Sequence, residues 1–155
     1  MASFSKFNQF VEDLGKALHD FPNDSLLVLL TNTAPNAADT VVDTTTGTCT
    51  VKSTSNAAEI AAGNGYTKKG NSAAASAWSQ SSGTAKLVRA DPATWTASGG
   101  TIGPFRYAVL FNDSKGTTST RPVIGYWDYG SSVTLQAGET FTVDLDGTNG
   151  VLTIA

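Results

Sequence analysis

Histidine and cysteine are almost absent from this sequence, which holds one of each, His19 and Cys49. Catalysis of the Ser-His-Asp or Cys-His kind needs a base beside the nucleophile, whereas His19 stands in a polar context that predicts a surface side chain. One histidine and one cysteine far apart in sequence also make a poor zinc site. A lone cysteine cannot form an intrachain disulfide, so Cys49 is expected to be a small buried side chain. We therefore expect that this protein is not an enzyme and that it has no catalytic residue, no metal ligand and no cofactor site.

Charged residues are also scarce, at 15% of the sequence, against roughly 25% in an average soluble protein. The ten basic residues are scattered, with Lys68 and Lys69 as the one adjacent pair, so no basic stripe that could follow a phosphate backbone is visible. The longest dense apolar run, residues 26–30, is far too short to cross a bilayer. The sequence thus predicts neither nucleic acid nor a membrane as a partner.

Acidic residues form one suggestive group near the carboxy-terminal end. Asp144 and Asp146 stand two positions apart before a glycine-containing turn, a pattern that superficially resembles a calcium loop. The sixth position of that loop, where an EF-hand needs glycine, is Asn149. The segment is therefore predicted to be a solvated strand face and a hairpin turn.

Serine, threonine, asparagine and glycine supply most of the polar residues, and glycine alone occurs 15 times. Threonine and aromatic residues suit strands, whereas glycine and asparagine suit turns. Residues 105–111 and 123–129 are typical of a hairpin, and residues 25–31 are typical of a strand covered on both faces. Residues 140–146 alternate polar and apolar side chains. The sequence predicts a mainly β protein, an antiparallel β-sandwich or barrel with one amino-terminal amphipathic α-helix, as a single β-rich domain over residues 1–155.

The helix is predicted over residues 1–21. Gly15 lowers its intrinsic stability by about 1 kcal/mol relative to alanine, so the helix needs a surface to lie on. That surface is either the protein's own sheet or a neighbouring subunit. Apolar residues at spacings of three and four form one stripe, which is the candidate interface. The stripe consists of Phe4, Phe7, Val11, Leu14 and Leu18.

A long polar stretch follows the first strand. Residues 32–56 are predicted to form a surface excursion that holds at most one short strand near residues 49–52. A loop of that length in a compact domain usually has a purpose or a partner. Residues 57–62 are predicted to form one helical turn.

Four aromatic residues cluster in two of the predicted strands. Tyr107, Tyr126, Trp127 and Tyr129 offer rings that stack on a sugar or a base if they are exposed. In a β protein, such residues also fill the core and the contacts between subunits. Both interpretations remain open at this stage.

Several passages resemble a family of small structural proteins of tailed bacteriophages. They include Ala-Ala-Gly-Asn-Gly-Tyr within residues 58–67, Gly-Pro-Phe-Arg-Tyr-Ala-Val-Leu-Phe-Asn-Asp within residues 97–113, and Gly-Tyr-Trp-Asp-Tyr-Gly within residues 124–130. Residues 138–143, and residues 7–14 with 30–35 near the start, also fit. The similarity spans most of the chain apart from residues 37–55.

The resemblance implies a virion component without a catalytic motif. The expected function is that of a capsid decoration or cement protein that stabilises the head by binding across capsid subunits. Its expected partners are the major capsid protein and further copies of itself, and its expected location is the capsid surface after assembly in the host cytoplasm. The alternative is a tail or tail-fibre component, either a glycan- or receptor-binding module or a tube-forming protein.

Overall fold

The computed structural model describes residues 4–73, 76–89, 93–145 and 150–155. The protein is mainly β, with 49% strand and 6% helix, and its sheets are antiparallel, which confirms the predicted fold class. Within the described residues there is one helix, α1 (Asn8–Gly15). The strands are β1 (Phe4–Lys6), β2 (Leu26–Thr31), β3 (Val41–Asp43), β4 (Thr50–Lys52), β5 (Ala57–Ala58), β6 (Asn71–Ser72), β7 (Ser76–Ser81), β8 (Thr84–Arg89), β9 (Ala93–Thr96), β10 (Ile102–Asn112), β11 (Arg121–Leu135), β12 (Thr140–Val143) and β13 (Leu152–Ile154).

The long hairpin of β10 and β11 is the centre of the largest sheet. The order of this sheet is β5-β4-β3-β11-β10-β2-β6, and β1 pairs with β11 off that path. The hairpin predicted from residues 105–111 and 123–129 is therefore confirmed, with Val109 opposite Tyr126. Two smaller sheets, β9 with β12 and β7-β8-β13, complete the strand pairing of the described chain.

Strand β2 is buried on both faces, as its uninterrupted apolar run predicts. Val28 and Leu30 belong to a first core, which also holds Leu87 of β8 and Trp95 of β9. Leu29, between them in sequence, points into a second core. Because neighbouring residues of a strand point to opposite faces, the central sheet separates two cores, and the smaller sheets pack on the first of them.

The predicted helix over 1–21 is wrong in extent, because α1 covers only Asn8–Gly15. The residues before it form β1 along β11. Phe7 follows in an extended conformation, and its N–H donates to the carbonyl of Ile124 at 3.1 Å. Strand β11 thus satisfies main-chain groups of this segment while Phe7 becomes fully buried. These gains outweigh the helical spacing of the side chains.

The buried face of α1 also differs from the predicted stripe. Phe10 is 1% exposed and Asp13 is 4% exposed, whereas Val11 is 53% exposed. Phe10 packs against the ring of Phe21, and Asp13 accepts a hydrogen bond from Gln9 Nε2 at 2.9 Å. Once the helix begins at residue 8, the packing of Phe10 determines its orientation.

Residues 32–56 are not a surface excursion, because they contribute β3 and β4 to the largest sheet. Val42 and Val51 are fully buried in the second core. The carboxylate of Asp39, also buried, accepts hydrogen bonds from the N–H groups of Thr54 and Ser55 at 2.8 and 2.7 Å. Polar side chains here bond main-chain groups, which explains why composition alone predicted a loop. The short strand expected near residues 49–52 is confirmed.

The remaining expectations have mixed outcomes. Residues 57–62 do not form a helical turn, because β5 and a bridge from Glu59 to Thr31 extend the sheet there. The alternation in residues 140–146 is confirmed, since Val143 and Leu145 lie in the first core. Asp146 and residues 147–149 of the turn expected at residues 147–150 lie outside the described residues. Strand β13 pairs with β8, not with β12.

His19 is half-buried and not a free surface side chain as predicted. Its ring packs against those of Phe10 and Phe21, at centroid distances of 5.2 and 5.3 Å. Its Nδ1 lies 3.3 Å from Nδ2 of Asn112. Burial lowers the pKa of His19, while the carboxylates of Asp13 and Asp24 act in the opposite direction.

This lowered pKa predicts that the protein loses stability as the pH falls below about 6.5. The unfolded chain binds the histidine proton more readily than the folded protein, so acid favours unfolding by up to about 1.4 kcal/mol per pH unit. The free energy of unfolding in urea at pH 7.5, 6.5 and 5.5 measures the effect. His19→Phe, which keeps an aromatic ring there, should show a flatter dependence. Equal pH dependence in both proteins would contradict the prediction.

Candidate functional site

An aromatic groove opens on the surface between the central hairpin and β12. Within the described residues it encloses about 580 Å³. Strand β1, the hairpin strands β10 and β11, and β12 all contribute side chains to it. Its aromatic lining consists of Phe4, Phe105, Tyr107, Trp127, Tyr129 and Phe141. We call this surface the aromatic groove.

The pairing of β1 with β11 builds one wall of the groove. Phe4 lies opposite Trp127 in the strand register, and their ring centroids are 5.0 Å apart. The Phe4 ring covers the backbone of Gly125, where an added Cβ would lie 2.2 Å from the ring. A glycine on β11 thus makes room for the ring, and the ring shields the main chain that the glycine exposes.

Strand β12 supplies the facing wall through Phe141. Its ring meets Phe105 edge-on at 4.8 Å and Tyr129 edge-on at 5.8 Å. These edge-to-face arrangements are the geometry that aromatic pairs prefer. Tyr129 is 56% exposed, so its ring stands at the mouth of the groove.

One ion pair lies next to the groove through Arg106, which lines it, whereas Asp128 is not among the lining residues and alternates to the other face of β11. Arg106 donates from Nε and Nη2 to the two carboxylate oxygens of Asp128, at 2.7 and 2.8 Å. The guanidinium also lies over the ring of Tyr107, 5.2 Å from its centroid. The hydrogen bond from Arg106 lowers the pKa of Asp128, helped by the N–H of Gly130. Both partners are more than one-third exposed, so the pair is a solvated surface contact.

The structure brings together three of the four aromatic residues singled out in the sequence. Tyr107, Trp127 and Tyr129 line the groove. Tyr126 points to the other face of β11, where its ring packs 5.1 Å from that of Phe7. The alternation of a strand accounts for this division. Sequence reasoning missed Phe141, although its alternating context already placed it on an inward face.

The five residues of the predicted interface do not share one surface. Phe4 lines the aromatic groove, and Phe7 is fully buried in the second core. Leu14 packs against the first core, and Val11 is exposed. Leu18 is half-buried beside a cleft that joins α1 to residues 40–41.

This second surface, which we call the helix cleft, encloses about 390 Å³. It is lined by Gln9, Asp13, Lys16, Leu18, Thr40, Val41, Gly116, Thr120 and Pro122. The N–H of Asn8, the first residue of α1, donates to the carbonyl of Ala37 at 2.9 Å. The helix and the segment 32–56, both expected to make contacts, therefore lie side by side.

Buried polar groups elsewhere are structural in character. The carboxylate of Glu59 accepts hydrogen bonds from the N–H of Cys49, the N–H of Lys69 and the hydroxyl of Tyr66. Burial raises the pKa of Cys49 to about 12, so its thiol stays protonated and unreactive at neutral pH. Among the described residues, no three His, Cys, Asp or Glu side chains are grouped so that they could hold a metal ion.

Comparisons of the chain with protein-family models, with curated proteins and with solved structures found no match. In the part of the chain that the structure describes, no helix has the length and apolar character needed to cross a membrane.

Proposed function

We propose that this protein is a non-enzymatic structural protein of a bacteriophage virion, and that it decorates the capsid. In this role it binds across neighbouring subunits of the major capsid protein and holds them together without covalent bonds. It is assembled in the host cytoplasm and resides on the capsid surface. The observation that carries the proposal is the helix cleft, where the two segments expected to make contacts lie against each other.

The helix cleft has the chemistry of a protein contact. Val11 is an apolar side chain that is 53% exposed on α1, outside the lining of the cleft itself. The charges of Lys16 and Glu12 on the same helix are paired with each other. A partner that covers the exposed side of α1 as well as the cleft therefore buries apolar area while few unpaired charges lose water.

The rest of the fold suits a protein that binds through its faces. The largest sheet ends in two strands of only two residues each, β5 and β6. Short edge strands discourage uncontrolled pairing with other chains. A standard interface of roughly 1,600 Å², repeated over a symmetric shell and linked through a homo-oligomer, gives strong total binding from modest single contacts.

The test is readdition of purified protein to particles that lack it. Val11→Asp places a charge on the exposed side of α1, the helix that forms one wall of the cleft, and should reduce capsid occupancy at least about tenfold, since an unpaired charge is costly in an interface. Ile154→Asp, at a site that is 38% exposed on β13, is the matched control and should bind normally. Occupancy is measured by quantitative mass spectrometry and by cryo-electron microscopy of the head. Full occupancy with Val11→Asp would overturn the proposed contact.

The alternative is a tail or tail-fibre component, and the aromatic groove is the observation that favours it. The same purified virions distinguish the two locations. Hundreds of copies with density on the capsid lattice support decoration. A small copy number with density at the tail would replace decoration by the tail assignment.

A further inference from the structure

We propose that His19 is an acid-sensitive switch that controls the helix cleft. The neutral ring holds α1 and residues 16–24, which we call the switch segment, in place, and a proton on the ring releases them. Leu18 of the switch segment and Asp13 of α1 both line the cleft. Release therefore changes the surface that is offered to a partner. The switch is a property of the free protein, so the inference does not depend on the capsid assignment.

The ring of His19 lies where three parts of the fold meet. It contacts the rings of Phe10 on α1 and Phe21 in the switch segment, with centroids 5.2 and 5.3 Å away. Phe21 packs in turn against Trp78 of β7, at 5.1 Å. The Nδ1 atom of the ring lies 3.3 Å from Nδ2 of Asn112, the last residue of β10. Withdrawal of the ring therefore removes a support that α1 and the switch segment share.

The hydrogen bonds around His19 accommodate only a neutral ring. Oδ1 of Asn112 accepts the N–H of Ser114 at 2.9 Å, and Nδ2 donates to the buried carboxylate of Asp24 at 2.6 Å. The amide is thus oriented with its NH₂ group toward Nδ1 of His19, which must be an acceptor, because a proton there would face a second donor. Nε2 is buried and has no hydrogen-bond partner in the described part of the chain. A protonated ring therefore finds an acceptor among these residues on neither nitrogen.

Three charged side chains act on the ring from three parts of the fold. Burial is the largest influence and lowers the pKa of His19, whereas Asp13 on α1 and Asp24 in the switch segment act in the opposite direction. Lys115, between β10 and β11, acts in the same direction as burial. Asp24 is already bonded to the N–H of Asp20 at 2.7 Å and paired with Lys115 at 3.4 Å. Acid therefore favours a state in which the ring meets water.

A strained residue joins α1 to the switch. Ala17 has φ +55°, a conformation in which glycine is the usual residue after a helix. Its N–H donates to the carbonyl of Leu14 at 3.1 Å, and the N–H of Leu18 donates to the carbonyl of Asp13 at 3.0 Å. This is the hydrogen-bond pattern of a Schellman motif, here with alanine in the glycine position. Because this conformation is unfavourable for alanine, the segment gains free energy by moving once the packing of His19 is lost.

The experiment is hydrogen exchange of the full chain at pH 7.5 and 5.5, followed by NMR and corrected for the intrinsic exchange rates. The N–H groups of Leu18 and Asp24 report the switch, since both are hydrogen-bonded within it. Those of Leu29 and Val109, on the paired strands β2 and β10, report global unfolding. The open state takes up the proton, so its population should rise about tenfold between these pH values, the amount that a histidine of ordinary pKa contributes.

We expect Leu18 and Asp24 to be protected at least about tenfold less than Leu29 and Val109 at pH 7.5, because local opening costs less than global unfolding. At pH 5.5 the protection of Leu18 and Asp24 should fall by about a further tenfold. Equal protection at all four positions would show that the segment opens only with the whole protein. That result, or protection at Leu18 and Asp24 that does not depend on pH, would overturn the proposal.

Three variants assign the effect to the ring. His19→Phe keeps an aromatic ring but takes up no proton, so the protection of Leu18 should be the same at both pH values. Glu12→Gln is the matched control, because it removes an exposed carboxylate of the same helix, paired with Lys16, and it should keep the pH dependence. Ala17→Gly relieves the backbone and should raise the protection of Leu18 about threefold. Persistent pH dependence in His19→Phe, or no gain in Ala17→Gly, would contradict the switch.

Two spectra connect the ring to the cleft. A long-range proton–nitrogen NMR spectrum should place the proton of His19 on Nε2 at pH 7.5, and a proton on Nδ1 would overturn the proposal. The amide signals of Thr40 and Val41, which line the cleft outside the helix, should shift with the same midpoint as the ring. Signals that do not move would show that the ring does not control the cleft. Capsid occupancy of His19→Phe should stay normal at pH 7.5, so failure of the switch and failure of the decoration role are distinguishable.

Discussion

Replacing Gly70 with alanine is expected to destabilise the protein by about 4 kcal/mol. Gly70 has φ +76°, and a Cβ there would lie 1.8 Å from the carbonyl oxygen of Val28. The left-handed conformation costs an L-residue about 1–2 kcal/mol, and overpacking adds up to about 3. Val28 belongs to β2, which is buried on both faces and hydrogen-bonded on both edges, so its backbone has no room to move aside.

Gly99→Ala is the matched control for this effect. Gly99 has φ +78°, almost the same as Gly70, but an added Cβ would meet nothing within 4 Å. Only the conformational cost of about 1–2 kcal/mol should remain. The free energies of unfolding of both variants, measured in urea, separate the contact with β2 from the backbone angle. Equal losses of unfolding free energy in the two variants would show that the close approach to Val28 does not contribute to the effect of Gly70→Ala.

Glu59→Ala is expected to cost about 3–5 kcal/mol. Oε1 of this carboxylate accepts the N–H of Cys49 at 2.6 Å. Oε2 accepts the N–H of Lys69 at 2.8 Å and the hydroxyl of Tyr66 at 3.0 Å. Glu59 is 6% exposed, so its removal leaves three donors with little access to water. Each unsatisfied buried group costs about 1–3 kcal/mol, and that total is a large fraction of a typical stability of about 5–15 kcal/mol.

Two further variants test whether the lost hydrogen bonds cause the destabilisation of Glu59→Ala. Glu59→Gln preserves the shape but places an NH₂ group where one oxygen accepted a hydrogen bond, so it should cost roughly half as much. Glu12→Ala removes an exposed carboxylate paired with Lys16 and should cost less than about 0.5 kcal/mol. Urea denaturation gives the three free energies, and the rate of Cys49 modification by a thiol reagent reports local opening. A loss in Glu59→Ala no larger than that in Glu12→Ala would refute the role of the network.

The hydrogen-bond network of Glu59 could not be predicted from the sequence. Glu59 stands in an alanine-rich passage that suggests a helical turn, yet Cys49, Tyr66 and Lys69 come from different parts of the chain. Nothing local marks a carboxylate as the acceptor for three distant donors. Likewise, His19 has polar neighbours in sequence, while its actual neighbours are the rings of Phe10 and Phe21.

By itself, the sequence determined the mainly β class and the individual strands β2, β10, β11 and β12. Alternation with a period of two residues indicates a strand buried on one face, and a short uninterrupted apolar run indicates a strand buried on both faces. These patterns therefore predict strands without knowledge of the tertiary structure.

Only the tertiary structure decided how far the helix extends, whether residues 32–56 join the largest sheet, and which residues line the aromatic groove. Phe4 has helical spacing to Phe7 and Val11, but it forms a strand instead. Strand β11 offers it main-chain hydrogen bonds and room for its ring over Gly125. Some polar side chains of residues 32–56, Asp39 among them, bond main-chain groups, a role that composition does not distinguish from exposure to water. Contacts between residues far apart in sequence outweigh local preferences of a few tenths of a kcal/mol per residue, and they placed Phe4 and Phe141 on facing walls of one site.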